Sequence, residues 1–284
     1  MRRAALALTL AVVSVARPSA ADSLIPGPLP PGSSVEGGAT SRYWSRFDSQ
    51  PFLAATLELG WAYVHPKFNA GVGKPFYRWI GVDAQPLVSG SGAGLYGGAH
   101  AQVPLLDLRA GARYFSPFDR KMLSQSPRHT RDELEGLDGP DANALTLEGE
   151  LRGAVSLPGG GPFWMLTGHY VSGVDEDHDL YEESLKVVIR PPWVWRARVG
   201  YAFFFGRDDA IRLGIAEEVL QSPGRDGYVL RAGITSTMKL ADTVDLQATL
   251  MPVIHSPDAI GLAGADFGQL GVRWRWATRP PKSE

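Results

Sequence analysis

Six carboxylates and nine guanidinium groups recur at every second position of segments that are otherwise apolar. They are Glu58, Asp107, Glu148, Glu150, Glu218 and Asp245, against Arg109, Arg113, Arg152, Arg196, Arg198, Arg212, Arg231, Arg273 and Arg275. Such a set can do two kinds of chemistry. Paired, the groups neutralise one another, because a charge withdrawn from water needs a partner. Left in excess, arginine forks bind carboxylate or phosphate and bias a water-filled passage towards anions.

Residue types suited to catalysis are sparser. His169 and Ser172 in "GHYVSG" offer a base and a nucleophile, but three positions apart they fall on opposite faces of a strand. "DEDHD" around His178 reads as a solvated acidic loop, with a weak divalent-cation site as the lesser reading. "GAGLYG", Gly92 to Gly97, matches G-x-G-x-x-G, yet strand-like "GAHAQV" follows where the motif needs a helix. Those glycines therefore read as a hairpin turn. His65, His100, His129 and His255 lack metal-ligand spacing. The expectation is no catalytic, cofactor-binding or metal residue, and no enzyme.

Composition narrows the classes further. The chain has 284 residues, no cysteine and a formal charge of -2, which removes thiol chemistry and gives no electrostatic reason to bind nucleic acid. Arg2 and Arg3 precede "AALALTLAVVSVA", and "RPSAAD" then puts Ser19 and Ala21 where a signal peptidase inspects. Residues 1–21 are read as a cleaved secretory signal and 22–51, rich in Pro, Gly and Ser, as a flexible leader.

The elements that must position the charges are strands. Period-two alternation recurs from Phe52 to Trp276, with no long helical spacing. "FLAATLELGWAYV" sets Leu53, Leu57, Leu59, Trp61 and Tyr63 against Thr56, Glu58 and Gly60. Similar segments occur at 105–115, 145–157, 193–204, 211–219, 228–238, 244–250 and 270–276, with weaker ones at 76–87, 93–102, 163–171 and 184–190. About twelve strands result, with ten to fourteen allowed, and the tail is 277–284. Counting back from the last strand puts 172–184 on the rim that holds the termini, although its composition is that of a long outer loop.

Alternation suits either a soluble barrel with its apolar face inward or a membrane barrel with that face to lipid. Aromatics near strand ends (Trp61, Tyr63, Tyr77, Trp79, Tyr114, Phe115, Phe163, Trp164, Trp193, Trp195, Tyr201, Phe203, Tyr228, Trp274, Trp276) favour lipid, as interfacial girdles do. So do the small residues on the apolar face, Ala110, Ala112, Gly149, Gly153, Ala197, Ala232 and Ala248. They would fill a protein core poorly, whereas lipid tails conform to them.

With its signal peptide and final strand "LGVRWRW", the chain resembles the outer-membrane β-barrel proteins of Gram-negative bacteria over Phe52–Trp276. Members usually end on an aromatic residue, whereas this chain continues "ATRPPKSE". The resemblance implies an all-β fold, a single antiparallel transmembrane barrel in the outer membrane. Its partners would be membrane lipid and small anionic solutes, and its function that of a narrow channel or a structural barrel with a salt-bridged lumen. The fourteen lumen-lining candidates are the acids and arginines above apart from Glu218. Barrel enzymes form the alternative: a lipase or deacylase, whose His-x-Ser-Asn run is missing here, or an omptin-like protease, for which "DEDHD" has the residue types. A soluble exported barrel binding an apolar ligand is the further alternative.

Overall fold

A computed structural model describes residues 51–277, apart from 61, 75–77, 104, 137, 156, 207–208, 242 and 262–265. The expected signal, the expected leader up to residue 50, Trp61, Tyr77 and the tail from 278 lie outside the described residues. In chain order the strands are β1 (Pro51–Gly60), β2 (Tyr63–Lys74), β3 (Arg78–Ser89), β4 (Gly92–Val103), β5 (Leu106–Pro117) and β6 (Leu123–Ser124). A short helix α1 (Arg131–Leu134) precedes β7 (Ala144–Ala154), β8 (Gly160–Ser172), β9 (His178–Glu182) and β10 (Val187–Ile189). Then come β11 (Trp193–Phe205), β12 (Ile211–Gln221), β13 (Val229–Ala241), β14 (Val244–Met251), β15 (Val253–His255) and β16 (Phe267–Ala277).

Twelve of these form a closed antiparallel barrel in which each strand pairs with its neighbours in the wall. The order is β1, β2, β3, β4, β5, β7, β8, β11, β12, β13, β14, β16, and closure runs from Ala54↔Ala277 to Gly60↔Gly271. Closure leaves no unpaired edge, the condition for crossing lipid with strands. Strands β6, β9 and β10 make a separate three-stranded sheet within the loops.

Two segments correct the sequence reading. The alternation of "FLAATLELGWAYV" continues through a turn after Gly60, hiding a hairpin: β1 ends there and β2 starts at Tyr63, which faces inward. β2 was missed because Pro66, Gly71 and Gly73 blur its pattern. Conversely, 184–190 is no wall strand. Val187, Val188 and Ile189 are buried consecutively in β10, the signature of a covered core rather than a two-faced strand. The two errors cancel in the count and resolve the topology. Both described ends and the ends of β2, β4, β7, β11 and β13 share one rim. Loops 118–143, 173–192, 222–228 and 252–266 share the other.

The wall is inverted relative to a soluble barrel. Its outside exposes Leu53, Phe68, Ile80, Val82, Leu95, Leu108, Leu147, Leu166, Val199, Ile215, Val272 and Trp274, with Val82 at 59%. Facing water, each such side chain would forgo about 1.5–3 kcal/mol. The inside buries Glu58, Asp83, Arg198, Arg212, Glu218, Arg231, Asp245 and Arg273. The architecture is that of a transmembrane barrel.

Not every expected girdle aromatic points outward. Trp79 and Phe163 are buried inside, and Tyr63 and Phe115 line the cavity. Backbone glycines seat these rings. A Cβ on Gly71 or Gly81 would lie 2.6 Å from the Trp79 ring. "GAGLYG" is likewise corrected: its glycines lie inside β4, not in a turn, and Gly92 borders the Phe115 ring.

Candidate functional site

The inward charges meet as cross-strand neighbours and form four clusters. On β12, Glu218 is fully buried; its Oε1 accepts from Arg231 Nη1 at 2.8 Å and its Oε2 from Arg198 Nε at 2.7 Å. Arg196 approaches the same carboxylate at 3.9 Å and Glu150 at 4.0 Å, and Glu150 pairs with Arg152 at 2.6 Å. Asp245 holds Arg275 at 2.8 Å and Arg273 at 3.5 Å, while Glu58 lies between Lys67 (3.3 Å) and Arg273 (3.9 Å).

The third cluster centres on His100, whose Nε2 lies 2.9 Å from Asp107 and Nδ1 3.2 Å from Asp83. Arg109 sits 3.4 and 3.6 Å from the same two carboxylates. In the fourth, Arg113 meets Glu148 at 2.6 Å and Glu182 at 3.8 Å. Arg212 differs from the rest. It stacks over the Phe204 ring, 4.9 Å from its centroid, and its Nε and one terminal nitrogen make no hydrogen bond among the described residues.

Inside the barrel is a cavity of about 890 Å³. Nine cations border it (Lys67, Arg109, Arg113, Arg120, Arg152, Lys186, Arg196, Arg198, Arg273) against six carboxylates (Glu58, Glu148, Glu150, Glu182, Glu183, Asp266). Of the sequence candidates, Asp107, Arg212, Arg231, Asp245 and Arg275 are not among its lining residues. Hydroxyls and amides from Tyr63, Gln85, Thr235, Thr249 and Gln269 line it as well. Among the lining residues cations exceed carboxylates by three, while the counter-charges of Arg198, Arg273 and Arg109, namely Glu218, Asp245, Asp83 and Asp107, lie just behind the lining.

Sequence reasoning missed the contribution of the loops. The turn between β9 and β10 enters the bore: Glu182 faces Arg113 on β5, and the Lys186 carbonyl accepts from Arg231 on β13 at 2.8 Å. β5 and β13 stand five places apart in a ring of twelve, so the turn crosses the lumen. Glu183 pairs with Arg120 at 2.9 Å and Lys186 at 2.6 Å. Asp83 and Lys67 were missed because their strands alternate weakly. Their one signal was the inward parity they share with Gln85 and His65.

A second network ties the loops together beyond the strands. Asp179 accepts bidentately from Arg190, at 2.8 and 3.0 Å, and Arg225 donates through its two terminal nitrogens to Asp258, at 2.7 and 2.6 Å, and to the Val188 carbonyl at 3.0 Å. His129 bridges Asp179 and Glu133 at 2.9 and 2.8 Å. Burial favours a neutral imidazole, but those two hydrogen bonds outweigh it and raise the His129 pKa. Burial also pushes the Asp179 carboxyl up, yet hydrogen bonds from His129, Arg190 and the Ser126 backbone N–H hold it at about 2. Beneath lies an apolar core of Leu180, Leu185, Val187, Ile189, Val194 and Leu220.

The residues considered for catalysis are dispersed. His169 is buried in the bore 3.9 Å from Glu148, whereas Ser172 donates to the Leu145 carbonyl at 3.1 Å. His178 pairs with exposed Asp177, and His255 rests against the Tyr228 ring. No metal-ligating group of three appears among the described residues.

No known protein family matches the chain, and no curated protein does. Solved structures with a similar strand arrangement include the KdgM porin (8% identity, TM-score 0.40, covering 78% of this chain and 98% of that one). The NanC porin aligns at 6% identity and TM-score 0.37, covering 81% and 100%. A loop-deletion mutant of OmpT, an outer membrane protein of Vibrio cholerae, aligns at 8% and 0.36, covering 80% and 97%. Likeness this distant identifies no solute and no subfamily; the barrel assignment rests on the strand pairing itself.

Proposed function

We propose that this chain is an outer-membrane channel for small polar solutes, with a preference for anions. Export by a cleaved signal fits that location. The observation that carries the reading is a cavity whose lining holds more cations than carboxylates, inside a wall whose outside is apolar. An arginine-rich passage lowers the electrostatic barrier to carboxylates and phosphates and raises it for cations. Ion pairing keeps the wall charges at fixed positions, so the excess of cations acts on solute rather than on the fold.

A structural barrel with a sealed lumen is the second reading, favoured by the β9–β10 turn across the bore. Conductance of the purified protein in planar bilayers under a salt gradient separates the two. Single-channel steps with an anion-selective reversal potential support the channel. Bare-lipid conductance throughout would leave only the sealed barrel. The enzyme alternative lacks support in the placing of His169 and Ser172 on opposite strand faces, and the soluble alternative in the exposed apolar wall.

A further inference from the structure

His129 is a buried link between the two long loops, beside the β6–β9 pairing of Leu123 with Asp179. It is 1% exposed, and Asp179 beneath it is fully buried. Both ring nitrogens of His129 lie within hydrogen-bond distance of carboxylate oxygens, Nε2 with Asp179 on β9 and Nδ1 with Glu133 on α1. An ionised carboxylate only accepts, so both nitrogens must carry hydrogen: this geometry requires the imidazolium. A neutral ring would turn a lone pair towards one of these carboxylate oxygens, and on the Asp179 side both groups are buried.

That link bears on the bore. Asp179 lies near the start of the strand whose far end, Glu182, opens the turn that crosses the lumen. Loop 118–143 is fixed in turn to the loop before β16: the His129 backbone N–H donates to Asp258 at 2.9 Å, and the Ala259 N–H to the His129 carbonyl at 2.8 Å. The crossing turn is therefore anchored inside by Arg113 and Arg231 and outside through His129.

We propose that the cap is a proton-held gate, in which loss of the His129 proton loosens the β9–β10 hairpin and widens the passage. This rests on the channel reading for its consequence, though not for the loosening itself. Around the ring the charged groups are Glu133 from α1, Asp179 from β9, Arg190 after β10, Arg225 from the loop after β12, and Asp258 from the loop before β16. Among these groups His129 alone has an ordinary pKa near neutrality. Its folded pKa is raised, so its stabilisation is complete below the ordinary histidine value and is lost as pH climbs through the folded value. Each unit of elevation makes a loosened cap about tenfold more populated once the proton has gone.

The test uses the full protein in lipid vesicles, with amide hydrogen exchange of 123–134 and 178–189 followed from pH 6 to pH 9 and corrected for intrinsic rates. Protection should fall at the alkaline end in wild type. Glu133→Gln, half-exposed and outside the loop core, should move that fall to lower pH. His129→Gln should give weak protection at every pH. Protection that stays level from pH 6 to pH 9, or that falls identically in His129→Gln, overturns the gate. Planar-bilayer conductance on the same samples should rise with the loss of protection. A cap that loosens in a barrel passing no ions would overturn the channel reading and leave only the proton-dependent loosening, whereas a cap that loosens with unchanged conductance in a conducting barrel would overturn the gate.

Discussion

Arg231 and Glu218 are direct cross-strand partners on β13 and β12, both fully buried, and the same guanidinium that holds the carboxylate also holds the Lys186 carbonyl. One wall ion pair thus fixes both the barrel and the turn across its bore.

Glu218 is also the shared counter-charge of Arg198 and Arg196. Glu218→Gln leaves three guanidinium groups without it, and removing one member of a buried pair costs about 3–5 kcal/mol. Urea unfolding from lipid vesicles should show a loss of that size. If the variant still inserts, its reversal potential should move further towards anions. A change below about 0.5 kcal/mol, the range of surface substitutions, would mean that the cluster is solvated.

The cap should also weaken in acid. Asp179 has a depressed folded pKa of about 2 against an ordinary 3.8, so its contribution is complete above the ordinary value and lost as pH falls towards 2. Loop amides 123–134 should lose protection between about pH 4 and pH 2, while Asp179→Asn should be unprotected already at pH 5. Equal protection in the two proteins at pH 5 would contradict this.

Two glycines in adjacent strands should respond oppositely. A Cβ on Gly81 would press on the Ala70 carbonyl oxygen and lie 2.6 Å from the Trp79 ring, whereas one on Gly97 meets nothing within 4 Å. Gly81→Ala should cost about 1–3 kcal/mol of overpacking, and Gly97→Ala should lie within about 0.5 kcal/mol of wild type. Chemical unfolding of both variants in one lipid gives the comparison.

The wall was legible in sequence because lipid and lumen impose unlike demands on alternate residues, as Leu145, Leu147 and Leu151 against Glu148, Glu150 and Arg152 show. β2 was not, since Pro66 and its glycines carry too little contrast between faces. The β9–β10 turn was invisible for another reason. Glu182 and Lys186 gain their places from Arg113 and Arg231, far away in the chain, and no local pattern records such a meeting. The missing girdle members follow the same logic: Trp79 and Phe163 turn inward because Gly81 and Gly200 leave room for their rings.

The central claim is that hydrocarbon, not water, wets the outer face of the wall. Val82 and Ile215 lie midway along β3 and β12 and are exposed on that face. The direct measurement is the folding free energy of Val82→Arg and Ile215→Arg in lipid vesicles. A membrane-spanning wall predicts a cost of about 2–4 kcal/mol for each, as for arginine near a bilayer midplane. Values within about 0.5 kcal/mol of wild type, as on a water-exposed surface, would contradict the account.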